Sequence, residues 1–134
     1  MIAIVVGSVT KITKKQIKHI EESITNANKI LYKDVCLYYV GNDSYTLIKE
    51  HEFIEGLLNS TVLIMSGGET AYSLLNASGF DYLISNRQIM PLISTGTING
   101  GLFHGKKYVI KGGSIGDVNV YDKIIEYIKN NICE

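Results

Sequence analysis

Four apolar, β-like runs along the chain each lead into a segment whose hydrophobic residues recur at helical spacing. Ile2 to Val6 is unbroken and β-branched, as expected of a strand covered on both faces within a parallel sheet. Thr13 followed by Gln16 has the form of a capping box, and Ile17, Ile20, Ile24 and Ala27 predict a helix over about 13 to 30. Val35 to Val40 repeats the strand character. After Asn42 and Asp43, a stripe of Leu47, Ile48, His51, Ile54, Leu57 and Leu58 predicts a second helix. Thr61 to Met65 reads as a third strand, and Thr70 to about Ser78 as a short helix ended by a left-handed C-cap at Gly79. From Asp81 to Gly105 the pattern breaks into short strands and loops around Tyr82 to Ser85, Pro91 and the tract STGTINGG at 94 to 101. Tyr108 to Lys111 is the last strand, and Asp117 is placed to cap a C-terminal helix with the stripe Val118, Tyr121, Ile125, Ile128 and Ile132.

Strands alternating with helices call for a mostly parallel sheet with helices on both faces, a three-layer α/β/α sandwich. The 134 residues suit one domain, and no linker, repeat or low-complexity segment divides them. Strand order, and with it the place of the ligand crevice, is not readable from one sequence. Thirteen basic and thirteen acidic side chains leave no broad attraction to nucleic acid or to a membrane surface, so any anion must be bound locally. The longest apolar runs are too short to span a bilayer, and the chain enters its first strand without a basic leader, which predicts a cytoplasmic protein. Cys36 lies in a strand and Cys133 near the end, as free thiols rather than a disulfide or a metal site.

Three of the strands stop at small-residue turns that carry hydroxyls: GSVT at 7 to 10, SGGETA at 66 to 71 and KGGSIGD at 111 to 117. In a parallel sheet these turns, with GND at 41 to 43, collect on one edge, where open α/β folds bind ligands. Gly67 and Gly68 allow close backbone approach, and Thr70 opens a helix whose dipole favours a phosphate, although two glycines equally serve to turn a strand into a helix. Glu69 is either a first-turn carboxylate or a holder of magnesium through water. Lys111 precedes three glycines within five residues, a turn able to aim amides at one anion, but the order is not that of a Walker loop. Ser8 offers a hydroxyl at the first turn. His19 and His51 fall within helical patterns, and His104 is the one histidine near the expected edge. The nine tyrosines are explained by packing, and no nucleophile elbow or zinc spacing is present.

Taken in order, these turns resemble the C-terminal nucleotide-binding domain of the four-carbon acid sugar kinases, over nearly the whole chain. Gly7, Ser8, Thr13 and Gln16 look like that family's opening turn and helix start, Gly67 to Ala71 its GG(D/E)TA turn, and Lys111 to Gly116 its K-x-G-G-F-G loop. Gly96 to Gly100 looks like the G-x-x-x-G tract that helps to hold the nucleotide. Two positions depart, Ser114 for glycine and Ile115 for phenylalanine; the serine should reduce backbone freedom and hinder close approach of a phosphate. The resemblance implies ATP bound with magnesium by Ser8, Gly67, Gly68, Glu69, Thr70, Gly96, Gly100, Lys111, Gly112, Gly113, Ser114 and Gly116. It further implies phosphoryl transfer to a tetronate or 3-oxo-tetronate. The family's substrate-binding half lies N-terminal to this domain, so the chain is expected to act with a separate half, self-association being left open. The rival reading is a non-catalytic nucleotide- or phosphate-binding or assembly module.

Overall fold

The computed structural model describes residues 1–7, 10–25, 32–40 and 51–131, with only the backbone at 51. Its strands are β1 (Ile2–Val6), β2 (Val35–Tyr39), β3 (Val62–Ser66), β4 (Tyr82–Met90), β5 (Ile93–Asn99) and β6 (Lys107–Lys111). Its helices are α1 (Lys11–Thr25), α2 (His51–Leu58), α3 (Gly68–Ser78) and α4 (Val120–Asn131). One six-stranded sheet runs in the order β2-β1-β3-β6-β5-β4. The first four are parallel, and β5 and β4 are antiparallel additions at one side. The mostly parallel α/β/α architecture expected from the alternation is therefore present.

The unbroken apolar runs of β1 and β3 follow from their central place, since every residue in both is buried. Alternate side chains feed two cores. Ile2, Ile4, Val6, Val62, Ile64 and Val109 pack with Ile17 and Ile20 of α1 and Tyr121, Ile124, Ile125 and Ile128 of α4. Ala3, Val5, Leu63 and Met65 pack with Phe53 and Leu57 of α2 and Leu74 and Leu75 of α3. Each fully buried aliphatic side chain contributes about 1.5–3 kcal/mol, which clamps the sheet between its helix layers. The chain leaves β1 toward β2 on one side and returns to β3 on the other, so the topological switch point lies between the carboxyl ends of β1 and β3.

Several local expectations change. The segment expected to be irregular forms a hairpin: β4 and β5 pair through Met90 and Ile93, with Pro91 and Leu92 as the turn and Leu92 at φ 63. Helix α1 begins at Lys11, and the Oγ1 of Thr10 accepts from the Thr13 N–H at 3.2 Å, so Thr10 is the cap and Thr13 with Gln16 is not a capping box. The Asp117 side chain does not cap α4. Its backbone carbonyl accepts from the Val120 N–H, its carboxylate lies 3.5 Å from Lys123 Nζ, and Val118 is exposed rather than part of the stripe. Gly79 takes the expected left-handed C-cap, at φ 78. Leu58 is exposed, and Phe53 fills the buried face of α2 instead. Leu47, Ile48, the GND turn, residues 26–30 and Ile132 lie outside the described residues, as do Ser8 and Cys133. Cys36 is a free thiol. No helix among the described residues is long and apolar enough to cross a membrane.

Candidate functional site

The carboxyl ends of β1, β3 and β6 are stitched into one edge. The Gly7 N–H donates to Ser66 O at 3.2 Å, and the Gly67 N–H to Lys111 O at 2.8 Å. Beyond β3 the chain passes through Gly67, at φ 96, directly into α3. No side chain caps that helix, so its first-turn N–H groups and the positive end of its dipole remain available. Space around Gly68 is open, since a Cβ added there would have no heavy atom within 4 Å. Glu69 is exposed in the first turn and Thr70 is buried.

The loop after β6 is held from below by buried side chains. Lys111 is fully buried on the α1/α4 face of the sheet, and its Nζ donates to the carbonyls of Gly112 at 2.6 Å and Gly113 at 2.9 Å. Its ammonium lies 5.6 Å from the centre of the Tyr121 ring, within cation–π range. Among the described residues no carboxylate accompanies it, and burial pulls its pKa down to about 8. The Tyr121 hydroxyl is 2.6 Å from Ser66 Oγ, and burial pushes Tyr121 up to about 12.

Helix α1 reaches the same loop. Thr13 Oγ1 donates to Gly113 O at 2.6 Å, which fills that carbonyl's second lone pair. Gln16 Nε2 lies 3.0 to 3.1 Å from the carbonyls of Ile115, Gly116 and Asp117. Ser114 Oγ donates to Thr10 Oγ1 at 3.2 Å, and Thr10 Oγ1 is 2.9 Å from Thr13 Oγ1. Because Thr13 gives its proton to Gly113 and Thr10 already accepts from Ser114, the hydroxyls form a directed chain from Ser114 through Thr10 and Thr13 to the Gly113 carbonyl. The carbonyls of residues 112, 113, 115, 116 and 117 are thus taken by side chains. The N–H groups of Gly113, Ser114, Gly116 and Asp117 have no protein partner among the described residues. Such a loop offers donors and withholds acceptors, the polarity that suits an anion.

Gly116, at φ 93, could not become alanine without its Cβ meeting Val120. Ser114 does not have positive φ, so the position does not demand glycine, and its hydroxyl braces the loop against α1. Ile115 packs against the α1/α4 core and sits 2.7 Å from where a Gly112 Cβ would stand.

Of the sequence candidates, Gly67, Gly68, Glu69, Thr70 and Lys111 to Gly116 gather at this edge. Gly96 and Gly100 do not join them, because β5 runs antiparallel to β6. Gly96 lies opposite Tyr108 in mid-strand, and Gly100 follows β5 at the far edge, where its N–H donates to His104 Nδ1 at 2.8 Å. His104 is therefore also at the far edge. Gly96 has a packing role, since a Cβ there would strike the Ile84 carbonyl and the Tyr108 ring. Thr13 and Gln16, Ser66 and Tyr121 join the site in ways the sequence reading did not assign. Among the described residues no group of three or more histidines, cysteines or carboxylates is arranged to hold a metal.

Neither a protein-family model nor a characterised protein matches the sequence. Solved structures do match. The fold is similar to a domain of unknown function (DUF1537) from Bordetella bronchiseptica, solved with bound citrate as a domain-swapped dimer in two crystal forms, at TM-scores of 0.69 and 0.74 and 14% identity. Those matches cover 96% of this chain and 39% and 41% of that one. A DUF1537 protein from Haemophilus influenzae matches at a TM-score of 0.56 and 18% identity, covering 97% of this chain and 40% of its own. A putative tRNA synthase from Salmonella typhimurium matches at 0.59 and 11%, covering 92% and 40%. At these identities the likeness is one of fold, and the chain spans about two fifths of the length of each neighbour.

Proposed function

We propose that this chain binds the phosphates of ATP at the carboxyl edge of β1, β3 and β6 and serves as the nucleotide-binding half of a sugar-acid kinase. In this reading a separate substrate-binding half supplies the tetronate or 3-oxo-tetronate. The observation that carries it is the pairing of an uncapped α3 N-terminus beside open space at Gly68 with a loop whose carbonyls are turned onto Lys111, Thr13 and Gln16 and whose N–H groups are free. Both lie beside the switch point at which open α/β sheets take ligands. The likeness in fold to DUF1537 proteins supports the same reading.

The residues present fit a polyphosphate. The backbone donors of 67–70 and 113–117 would orient the β and γ phosphates, and Lys111, behind the loop, would offset charge that spreads over the transferred group in a loose transition state. Magnesium, when bound, would neutralise phosphate charge; with no carboxylate cluster among the described residues to cage it, it would be held through the phosphates and water, Glu69 being an acidic side chain at this edge. The domain-swapped dimer of the Bordetella protein supports self-association as part of this reading.

Thermal unfolding with magnesium ATP tests it. A ligand at about 100 times its dissociation constant stabilises by about 2.7 kcal/mol, which raises the midpoint by several degrees. Gly68→Asp is the matched variant. The open space accepts its side chain, a carboxylate in a first helical turn does not harm the fold, and its charge repels a phosphate. A shift with ATP but not with sulfate, absent in Gly68→Asp, is expected. No shift at millimolar ATP, or an equal shift in Gly68→Asp, overturns the assignment.

A further inference from the structure

A polar cavity, of about 450 Å³, lies away from the carboxyl edge. It opens between the outer strands on the α4 face of the sheet and the last turns of α4. The ladder between β4 and β5 slips between Ser85 and Arg87. A bulge of this kind re-aims side chains, and here it sets Arg87 opposite Thr95, on the face that Val109 and Lys107 share. Tyr127 and Asn131, four residues apart on α4, close the other side.

The wall consists largely of unused donors. Arg87 makes no hydrogen bond or ion pair among the described residues. Lys107 Nζ donates once, to Thr97 Oγ1 at 2.9 Å, and among the described residues forms no ion pair. The Asn86 amide and the Tyr127 hydroxyl have no partner among the described residues, while Asn131 Nδ2 donates to the Tyr127 carbonyl at 2.9 Å. Among the described residues no aspartate or glutamate lines the cavity. Arg87 and Lys107 stand two strands and two residues apart, about 12 Å between backbones, a span that two long side chains reach across, so one small molecule can touch both. The carboxyl end of α4 contributes roughly half a negative charge at the rim, against two full positive charges. A volume of this size suits a small molecule, and the polar wall selects a hydrophilic one.

We propose that this cavity binds a small hydroxylated anion bearing a phosphate or carboxylate group, with Arg87 and Lys107 on the charged group and Asn86 and Tyr127 on its hydroxyls. The proposal does not depend on the nucleotide reading. It is tested on the full chain by amide NMR titration with inorganic phosphate and with glycerol 3-phosphate, at ionic strength held constant with chloride. Saturable shifts around residues 85–88, 107 and 127–131 are expected. Arg87→Gln and Lys107→Gln should each weaken apparent affinity about tenfold or more, with wild-type melting temperatures because both side chains are at least partly exposed. Tighter binding of glycerol 3-phosphate supports a polyhydroxy ligand, and equal binding supports free phosphate in the same site. Shifts that fail to saturate, or that survive both substitutions, overturn the proposal. So do shifts confined to 67–70 and 113–117, which leave the nucleotide reading standing.

Discussion

Raising the pH from 8 to 10 should stabilise this protein, and replacing Lys111 with methionine should remove that gain. Lys111 is fully buried against two carbonyls and an aromatic ring, and burial lowers its pKa from 10.5 to about 8. Between those values the unfolded chain binds more protons than the folded one, so stability climbs as pH rises through the window. The whole interval corresponds to about 3 kcal/mol, of which about 2 kcal/mol falls between pH 8 and 10. Above pH 10 the sign reverses. Tyr121 and Tyr32 are both pushed up to about 12, mainly by burial, so the unfolded state releases their protons first. The assay is urea denaturation at pH 7, 8, 9 and 10 at constant ionic strength. With an m-value of about 2 kcal/mol per molar, the wild-type midpoint should rise by about 1 M between pH 8 and 10. Lys111→Met keeps the buried aliphatic volume and should lose this rise, its profile falling slightly toward pH 10 as Tyr121 and Tyr32 ionise in the unfolded state. Parallel profiles would refute the reasoning, because they would mean that Lys111 is not held charged in a dry environment.

Gln16→Ala should lower stability by about 1–3 kcal/mol, since the Ile115 and Gly116 carbonyls lose their donor while that of Asp117 keeps the Val120 N–H, and it should reduce the ATP-induced thermal shift more than the fold loss alone explains. Gly96→Ala should cost about 3 kcal/mol or more in urea denaturation, because the new Cβ meets the Ile84 backbone rather than a movable side chain, whereas Gly68→Ala, in open space at a helix start, should be neutral or stabilising by up to about 1 kcal/mol.

β1 and β3 were legible because burial on both faces leaves a continuous apolar run, and the less buried β2 and β6 because their residues are largely β-branched and aromatic. The hairpin of β4 and β5 was not, for reasons visible in its residues. Most of β4 is exposed, its middle reads Ser85, Asn86, Arg87 and Gln88, and a bulge interrupts the alternation that marks a strand. Its turn uses Leu92 at φ 63 where a sequence reading looks for glycine or asparagine. The resemblance puts Gly96 and Gly100 of the tract that follows at the nucleotide site, whereas the reversal of direction at Pro91 and Leu92 carries that tract toward the opposite edge.

The site was legible in its glycines and illegible in what shapes them. Thr13 and Gln16 are three apart near a helix start, and local spacing alone makes them a cap. Their hydrogen bonds instead cross about 100 residues of sequence, which no local pattern encodes. A signal was nevertheless present. Both residues belong to the stripe that continues through Ile17 and Ile20, and a polar side chain on the buried face of a helix must find a partner or carry an uncompensated desolvation cost. The partner available to a buried threonine and glutamine at the carboxyl edge of a parallel sheet is the backbone of a neighbouring turn. Once the turn's carbonyls are bound from that side, the donors left to it are its N–H groups. Polar residues buried beneath a glycine loop are thus a better mark of an anion cradle than the glycines are, since glycines permit the loop's path while the buried donors decide which of its backbone groups remain for a ligand.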